Sequence, residues 1–250
     1  MFLQTTIIDR NFPVSDIVKG DFRTADVFRK YEIEYCCGGK WPLATACEMK
    51  GADFSDVYKD LEKATRSIHV PATIDFSSWN INFLTDYIVN IHHEYLKKAL
   101  PQLLDYIIRF AEGHRKKFGY LEEAQQIVNQ LIKYMMPHLQ QEEEVIFPYI
   151  RRIAHAYSSK ESYASLLVRT LRKPVEDIMH HEHAMVLKSI LRLRTLTDNY
   201  TTPENSCISH KVTFHKMKEV DNDLAQHMHL ENEILFPKAI AMEKELLHMP

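Results

Sequence analysis

The sequence predicts an all-α protein, with a small helical domain followed by a four-helix bundle of up-down connectivity. Three observations carry this. Residues 79–250 divide into four long helical segments, about 79–114, 122–155, 162–199 and 207–247, separated by the turn-like stretches KKFGY, AYSSKES and NYTTPENS. Long helices joined by short loops pack side by side in an up-down bundle. Six glycines in 250 residues leave little room for a turn-rich β protein, and 45% hydrophobic residues are ample for a buried core.

The N-terminal part, residues 1–66, breaks into shorter pieces. Val27, Phe28 and Tyr31 stand at helical spacing and predict a helix over 23–33. Cys36, Cys37, Gly38 and Gly39 follow, and the glycines give a sharp stop. A second helix is expected over 42–49, with Pro42 in its first turn, and a third over 54–66, capped by Asp53. The stretch SIHVPATIDFSS, residues 67–78, reads as a linker, so that the bundle occupies 79–250. Pro101, Pro137, Pro148, Pro174 and Pro237 fall inside or near the ends of the long helices. Each is expected to kink or end its helix, because proline lacks an N–H and clashes with the carbonyl four residues back.

Composition excludes several functions. The net charge of −3 with balanced signs gives no nucleic-acid footprint. MFLQTTIIDRNFPV lacks the basic start and apolar run of a signal peptide, and no stretch is long and apolar enough to span a membrane. Four cysteines without a spaced framework suggest reduced thiols in a cytoplasm. Fourteen histidines point toward metal chemistry.

Two stretches concentrate that signal. Residues 138–148 read HLQQEEEVIFP and residues 227–237 read HMHLENEILFP. Both have His, then Glu four residues on, then Phe-Pro. On a helix, residues i and i+4 share a face, roughly 5–6 Å apart. His138 and Glu142 therefore project together, among Leu131, Tyr134, Met135, Val145, Ile146 and Tyr149. His227 and Glu231 project together among Val220, Leu224, Ile234 and Leu235. A solvated pair is the ordinary reading of one such motif, but two copies on apolar stripes with no Lys or Arg argue otherwise. A buried carboxylate costs several kcal/mol unless it is paired or binds a cation. Glu143 and Glu144 fall off the stripe and are expected to be solvated.

The other two bundle helices offer IHHEY, with His92 and His93, and MHHEH, with His180, His181 and His183. The copies are offset by 89 residues from His138 to His227, but an offset of 89 or 90 relates the first and third helices equally well. Neither spacing nor helix faces chooses among these histidines. Imidazoles and carboxylates without thiolate suit Fe, Zn, Mn or Ni. Two carboxylates and four histidines suit a pair of ions bridged by the carboxylates, with positions open for an oxide or hydroxide bridge and a small ligand. Iron is the expected metal.

The segment FRKYEIEYCCGGKWPLATAC resembles the N-terminal domain of the iron–sulfur cluster repair di-iron proteins, the RIC or ScdA family, and residues 79–250 resemble their hemerythrin-like domain. The resemblance covers nearly the whole chain. It implies four His and two Glu ligands to two non-haem irons: His93 from IHHEYLKKALP, His183 from MHHEHA, and His138, Glu142, His227 and Glu231. It leaves His92, His180, His181 and Glu182 beside the ligands or at the surface. The implied role is repair of iron–sulfur clusters damaged by nitric oxide or oxidants in the cytoplasm. The resemblance further implies repair by iron donation, NO reduction or both, in a homodimer with damaged iron–sulfur proteins as partners and NO or O2 as small ligands. A hemerythrin-type O2 or NO sensor or carrier is the alternative.

Adjacent Cys36 and Cys37 are expected as thiols, since a disulfide between neighbours is strained. A buried helix stop with small side chains accounts for them equally well from the residues alone. The resemblance favours a thiol pair that exchanges with a partner or relays electrons. Cys47 and Cys207 stand singly and are expected in the core.

Overall fold

Apolar residues at three- and four-residue spacing build the helices of the computed structural model, which describes residues 2–4, 7–36, 39–68, 74–160, 168 and 175–248. Cys37, Gly38, Pro174 and the side chains of His180 and His181 lie outside the described residues. The chain divides into two compact units, residues 1–74 with 201–215, and residues 75–200 with 216–250.

In the first unit, helices α1 (Val14–Gly20), α2 (Thr24–Lys30), α3 (Leu43–Lys50) and α4 (Phe54–Thr65) enclose Val14, Ile17, Val18, Phe28, Leu43, Val57 and Leu61. Asp53 caps α4 as expected, its side chain accepting the Asp56 N–H at 3.1 Å. Helix α1 has no counterpart in the sequence expectation, and two further features differ from it. Strands β1 (Phe2–Gln4) and β2 (Arg66–Ile68) pair antiparallel, with Leu3 opposite Ser67, at the start of the stretch read as a linker. Helix α2 stops at Lys30 rather than near Ile33, because the chain turns through left-handed backbone at Glu32, φ 54°. Beyond this turn, the Gly39 N–H donates to the Cys36 carbonyl at 3.5 Å. Gly39 is required there, since a Cβ would sit 2.3 Å from the Tyr35 carbonyl oxygen. Its own carbonyl accepts the Ser15 N–H at 2.8 Å, which anchors the turn to α1. Residues 201–215, with the first turns of helix α10 (Ile208–His229), complete this unit.

The second unit is helical. Helices α5 (Ile81–Tyr87) and α6 (Glu94–His114) are joined by a π-helical turn, Ile88–His93. Another such turn, Glu142–Ile146, joins α7 (Tyr120–Gln141) to α8 (Phe147–Ser159). A third, Leu230–Leu235, joins α10 to α11 (Phe236–His248). With α9 (Val175–Leu196) these form long rods. α6 packs on α7, α7 on α9, and α8 on both α5 and α11. The prolines do not end the rods. Pro101 and Pro137 lie inside α6 and α7. Pro148 and Pro237 each stand one residue beyond a π turn, after Phe147 and Phe236. The carbonyls each would strike, on Glu144 and Glu233, lie within those turns, where the wider winding takes up the misfit. Around the turns, Ile88, Ile146, Phe147, Leu230, Leu235 and Phe236 pack into one buried cluster.

Candidate metal centre

His138, near the end of α7, and Glu142, opening the second π turn, stand 3.3 Å apart, Nε2 to Oε1. His227 and Glu231 repeat the arrangement at 3.0 Å on α10 and the third π turn. His93 closes the first π turn, and His183 lies on α9.

These six side chains converge. His93 Nε2 lies 3.1 Å from His227 Nε2, and His138 Nε2 lies 3.2 Å from His183 Nε2. Glu142 turns Oε1 toward His138, and Oε2 toward His93 at 3.5 Å and His227 at 3.9 Å. Glu231 turns Oε1 toward His227 and, at 3.8 Å, His93, and Oε2 toward His183 at 3.4 Å. The result is two sets of donors, His93–Glu142–His227–Glu231 and His138–Glu142–His183–Glu231, that share both carboxylates. All six residues are at most 4% exposed.

The electrostatics of this cluster ask for cations. Among the described residues, none of the four carboxylate oxygens has a hydrogen-bond partner. The ion-pair neighbours of both glutamates among the described residues are imidazoles. Burial first, then the facing Glu231 charge, push the Glu142 carboxyl well above the usual carboxylate range. Burial also opposes the Glu231 charge, but His227, His93 and His183 outweigh it and hold that carboxyl well below its usual range. Burial lowers the His183 imidazole, keeping it neutral and available as a donor. Two facing buried carboxylates cannot both ionise without positive charge between them.

Other side chains aim the imidazoles inward. His93 Nδ1 donates to Glu143 at 2.8 Å, His138 Nδ1 to Glu182 at 2.6 Å, and His183 Nδ1 to Asn232 at 2.9 Å. A proton fixed on Nδ1 leaves the Nε2 lone pair for a metal. Lys97 backs Glu143 at 2.8 Å. Although burial opposes its charge, Lys97 and His93 hold the Glu143 carboxyl below its usual range. Phe147 stacks on the His93 ring, centroids 5.5 Å apart, and Phe236 on the His183 ring at 6.5 Å. The Phe-Pro ending of each repeated motif thus covers a histidine of a different helix. A cavity of about 240 Å³ lined by Tyr134, Met135, Pro137, His138, Glu182, Met185 and Val186 adjoins the His138 side.

Several residues stand otherwise than the sequence suggested. Glu143, expected in solvent, supports His93. Tyr134 and Val145, expected on the buried stripe, are 49% and 39% exposed. His92 is buried beside His93 and pairs with Asp223 at 2.9 Å, a partner the sequence did not single out. Cys36 is half-buried in its turn, Cys47 is buried as expected, and Cys207 is half-buried rather than core.

Comparison with known proteins agrees with this geometry. ScdA_N, a domain of unknown function, matches residues 10–65. The hemerythrin HHE cation binding domain matches residues 85–239. The iron-sulfur cluster repair protein ScdA of Staphylococcus epidermidis is 29% identical over 227 residues, 90% of this chain and 96% of that protein. The iron-sulfur cluster repair protein YtfE of Escherichia coli O81 is 27% identical over 234 residues, 94% of this chain and 99% of that protein. The protein of the same name from Enterobacter sp. (strain 638) is 26% identical over the same length. The chain belongs to the hemerythrin HHE cation-binding family, with an ScdA_N domain preceding the bundle.

Proposed function

We propose that the two donor sets hold two iron ions with Glu142 and Glu231 as shared bridges, and that the chain repairs iron–sulfur clusters damaged by nitrosative or oxidative stress. One observation carries the reading: each buried carboxylate, without a hydrogen-bond partner among the described residues, offers one oxygen to the His93–His227 pair and the other to the His138–His183 pair. A four-nitrogen, two-carboxylate set without thiolate suits iron. The repair role comes from the printed names of the relatives, which this chain matches along 90% or more of its length.

In this reading His93, His138, His183 and His227 are terminal ligands. Glu143, Glu182 and Asn232 hold three of the rings in place, and the Phe147 and Phe236 rings exclude water from the cluster. Bound iron supplies one-electron chemistry and coordination positions for a small ligand such as NO or O2. The apolar cavity beside His138 favours access for such a ligand and supports NO reduction beside iron donation. Cys36 and Cys37 serve as thiols that exchange with a client or return electrons. The working form is a cytoplasmic homodimer acting on damaged iron–sulfur proteins.

Metal analysis with a visible spectrum of the reduced and NO-treated protein tests the site. Two irons per chain, lost in His138→Ala and Glu231→Ala, are expected, whereas one zinc per chain overturns it. Nitrous oxide formation measured beside reactivation of a damaged iron–sulfur enzyme separates reduction from donation.

A further inference from the structure

Seven buried side-chain polar atoms lack a hydrogen-bond partner among the described residues. Four are the carboxylate oxygens of Glu142 and Glu231. The other three are His227 Nδ1, His92 Nε2 and Asp223 Oδ2. An unpaired buried polar atom costs free energy, so each of these needs a physical account. Three of the four converging imidazoles have an Nδ1 partner, in Glu143, Glu182 and Asn232, and His227 is the exception.

The three atoms belong to residues that stand together. His92 Nδ1 lies 2.9 Å from Asp223 Oδ1. The His92 and His227 rings are 6.2 Å apart between centroids and tilted by 35°. Asp223 precedes His227 by four residues on α10, so the two side chains share a face of that helix. His92 belongs to neither donor set. The Tyr87 ring packs edge to face on it at 5.6 Å, which with the Asp223 contact fixes its orientation.

We propose that His92 and Asp223 are a positioning pair for His227, linked to it by one buried water molecule. The count of donors and acceptors sets this. A carboxylate only accepts, so His92 Nδ1 donates to Asp223 Oδ1. With the proton on Nδ1, His92 Nε2 is an acceptor. His227 keeps Nε2 for a metal, so its Nδ1 carries the proton and donates. Asp223 Oδ2 accepts. One donor and two acceptors are what a single water satisfies. It accepts from His227 Nδ1 and donates to His92 Nε2 and to Asp223 Oδ2. Three hydrogen bonds are also the usual number for a water buried in a protein. A cation does not fit this point, because His227 presents a proton to it. An anion does not fit, because a carboxylate faces it. His227 thereby receives the carboxylate backing that Glu143 gives His93, through a water rather than by contact. The inference rests on the two-iron reading, in which His227 is a ligand.

The test is a crystal structure of the iron-loaded full chain, with iron affinity measured against a competing chelator for the wild type, His92→Phe and His92→Gln. An ordered water is expected within hydrogen-bond distance of His227 Nδ1, His92 Nε2 and Asp223 Oδ2. His92→Phe keeps a ring but offers no acceptor, and affinity should fall by about 10- to 100-fold. His92→Gln has an amide oxygen that accepts from the water, and it should recover part of the loss. A role in packing alone reverses that order and makes the aromatic replacement the milder one. No water at that point, a cation in its place, direct contact of Asp223 with His227 Nδ1, or a glutamine variant no tighter than the phenylalanine variant overturns the proposal. A wild type that binds no pair of irons overturns the iron reading and this one together. Normal binding in the wild type with no loss in His92→Phe overturns this one alone. The wild-type crystal decides by itself if a variant folds poorly.

Discussion

Glu143 Oε1 lies 2.8 Å from Nδ1 of His93, and this contact crosses from one long helix to another. Its counterpart in the second motif is Asn232, at the same step after the bridging glutamate and 2.9 Å from Nδ1 of His183. The duplication therefore extends beyond the ligands to the side chains that orient them. It differs in charge, since one imidazole leans on a carboxylate and the other on an amide. A carboxylate partner raises the basicity of its imidazole, so His93 and His183 are not electronically equal donors.

This inequality gives the first prediction. Glu143→Gln keeps a hydrogen-bond acceptor but removes the charge behind His93. Iron affinity should drop by about 10- to 100-fold, the usual loss when such a partner is changed. Titration against a competing chelator measures it, and an unchanged affinity contradicts the role given to Glu143. Asn232→Asp should act in the opposite direction at His183, strengthening retention there.

Metal removal supplies the second. Without cations Glu142 and Glu231 face one another in the core, and burial disfavours the charge on both. A ligand at a thousand times its dissociation constant stabilises the folded state by about 4 kcal/mol. Chelation should therefore lower Tm clearly in the wild type. In a Glu142→Gln, Glu231→Gln double variant the apo protein should be at least as stable as wild-type apo protein, and chelator should leave its Tm unmoved. A double variant that still loses Tm on chelation places the metal elsewhere.

How much of this was legible in the sequence follows from helix winding. The pairs His138–Glu142 and His227–Glu231 span four residues, and four residues return to one face of a helix, so the motif could be read directly. His92 and His93 could not be separated by periodicity because they sit in a π turn, Ile88–His93, where an extra residue per turn lets both point inward. Glu143 was assigned to solvent for the same reason. An α-helical projection puts it off the stripe, and the π turn that begins at Glu142 swings it back toward His93. Asp223 carried no signal, since its partner His92 lies 131 residues away.

The stacked phenylalanines give a third prediction. Phe147 is 2% exposed, and it joins the apolar cluster and covers His93. Phe147→Ala should destabilise the protein by about 3–5 kcal/mol, as truncating a buried aromatic usually does. It should also speed loss of iron, because water gains a path to the His93 ring. Phe147→Leu retains most of the volume and should recover stability more fully than iron retention. Urea unfolding and chelator release rates, measured on the same preparations, separate the two effects. Equal recovery of both in the leucine variant removes the case for a shielding ring.

Tyr35 yields a prediction about alkaline pH in the first unit. Burial, the largest influence, pushes its phenol from the ordinary 10.0 up to about 12, against a smaller opposing pull from Arg29. In the unfolded chain the phenol ionises at the ordinary value. Between pH 10 and 12 the unfolded state therefore binds fewer protons than the folded state, and linkage makes stability fall as pH rises. Below that window both states are protonated and the group contributes no pH dependence. Above it the full loss is reached, on the order of 2–3 kcal/mol for a shift of this size. Other tyrosines and lysines also titrate at such pH, so the informative quantity is a difference between proteins. The unfolding midpoint of Tyr35→Phe should decline less steeply than that of the wild type across this window. The phenolate absorbance of the folded wild type should include one tyrosine that ionises late. Parallel declines in the two proteins mean that the Tyr35 ring meets solvent in the folded state, and with it the turn that carries Cys36.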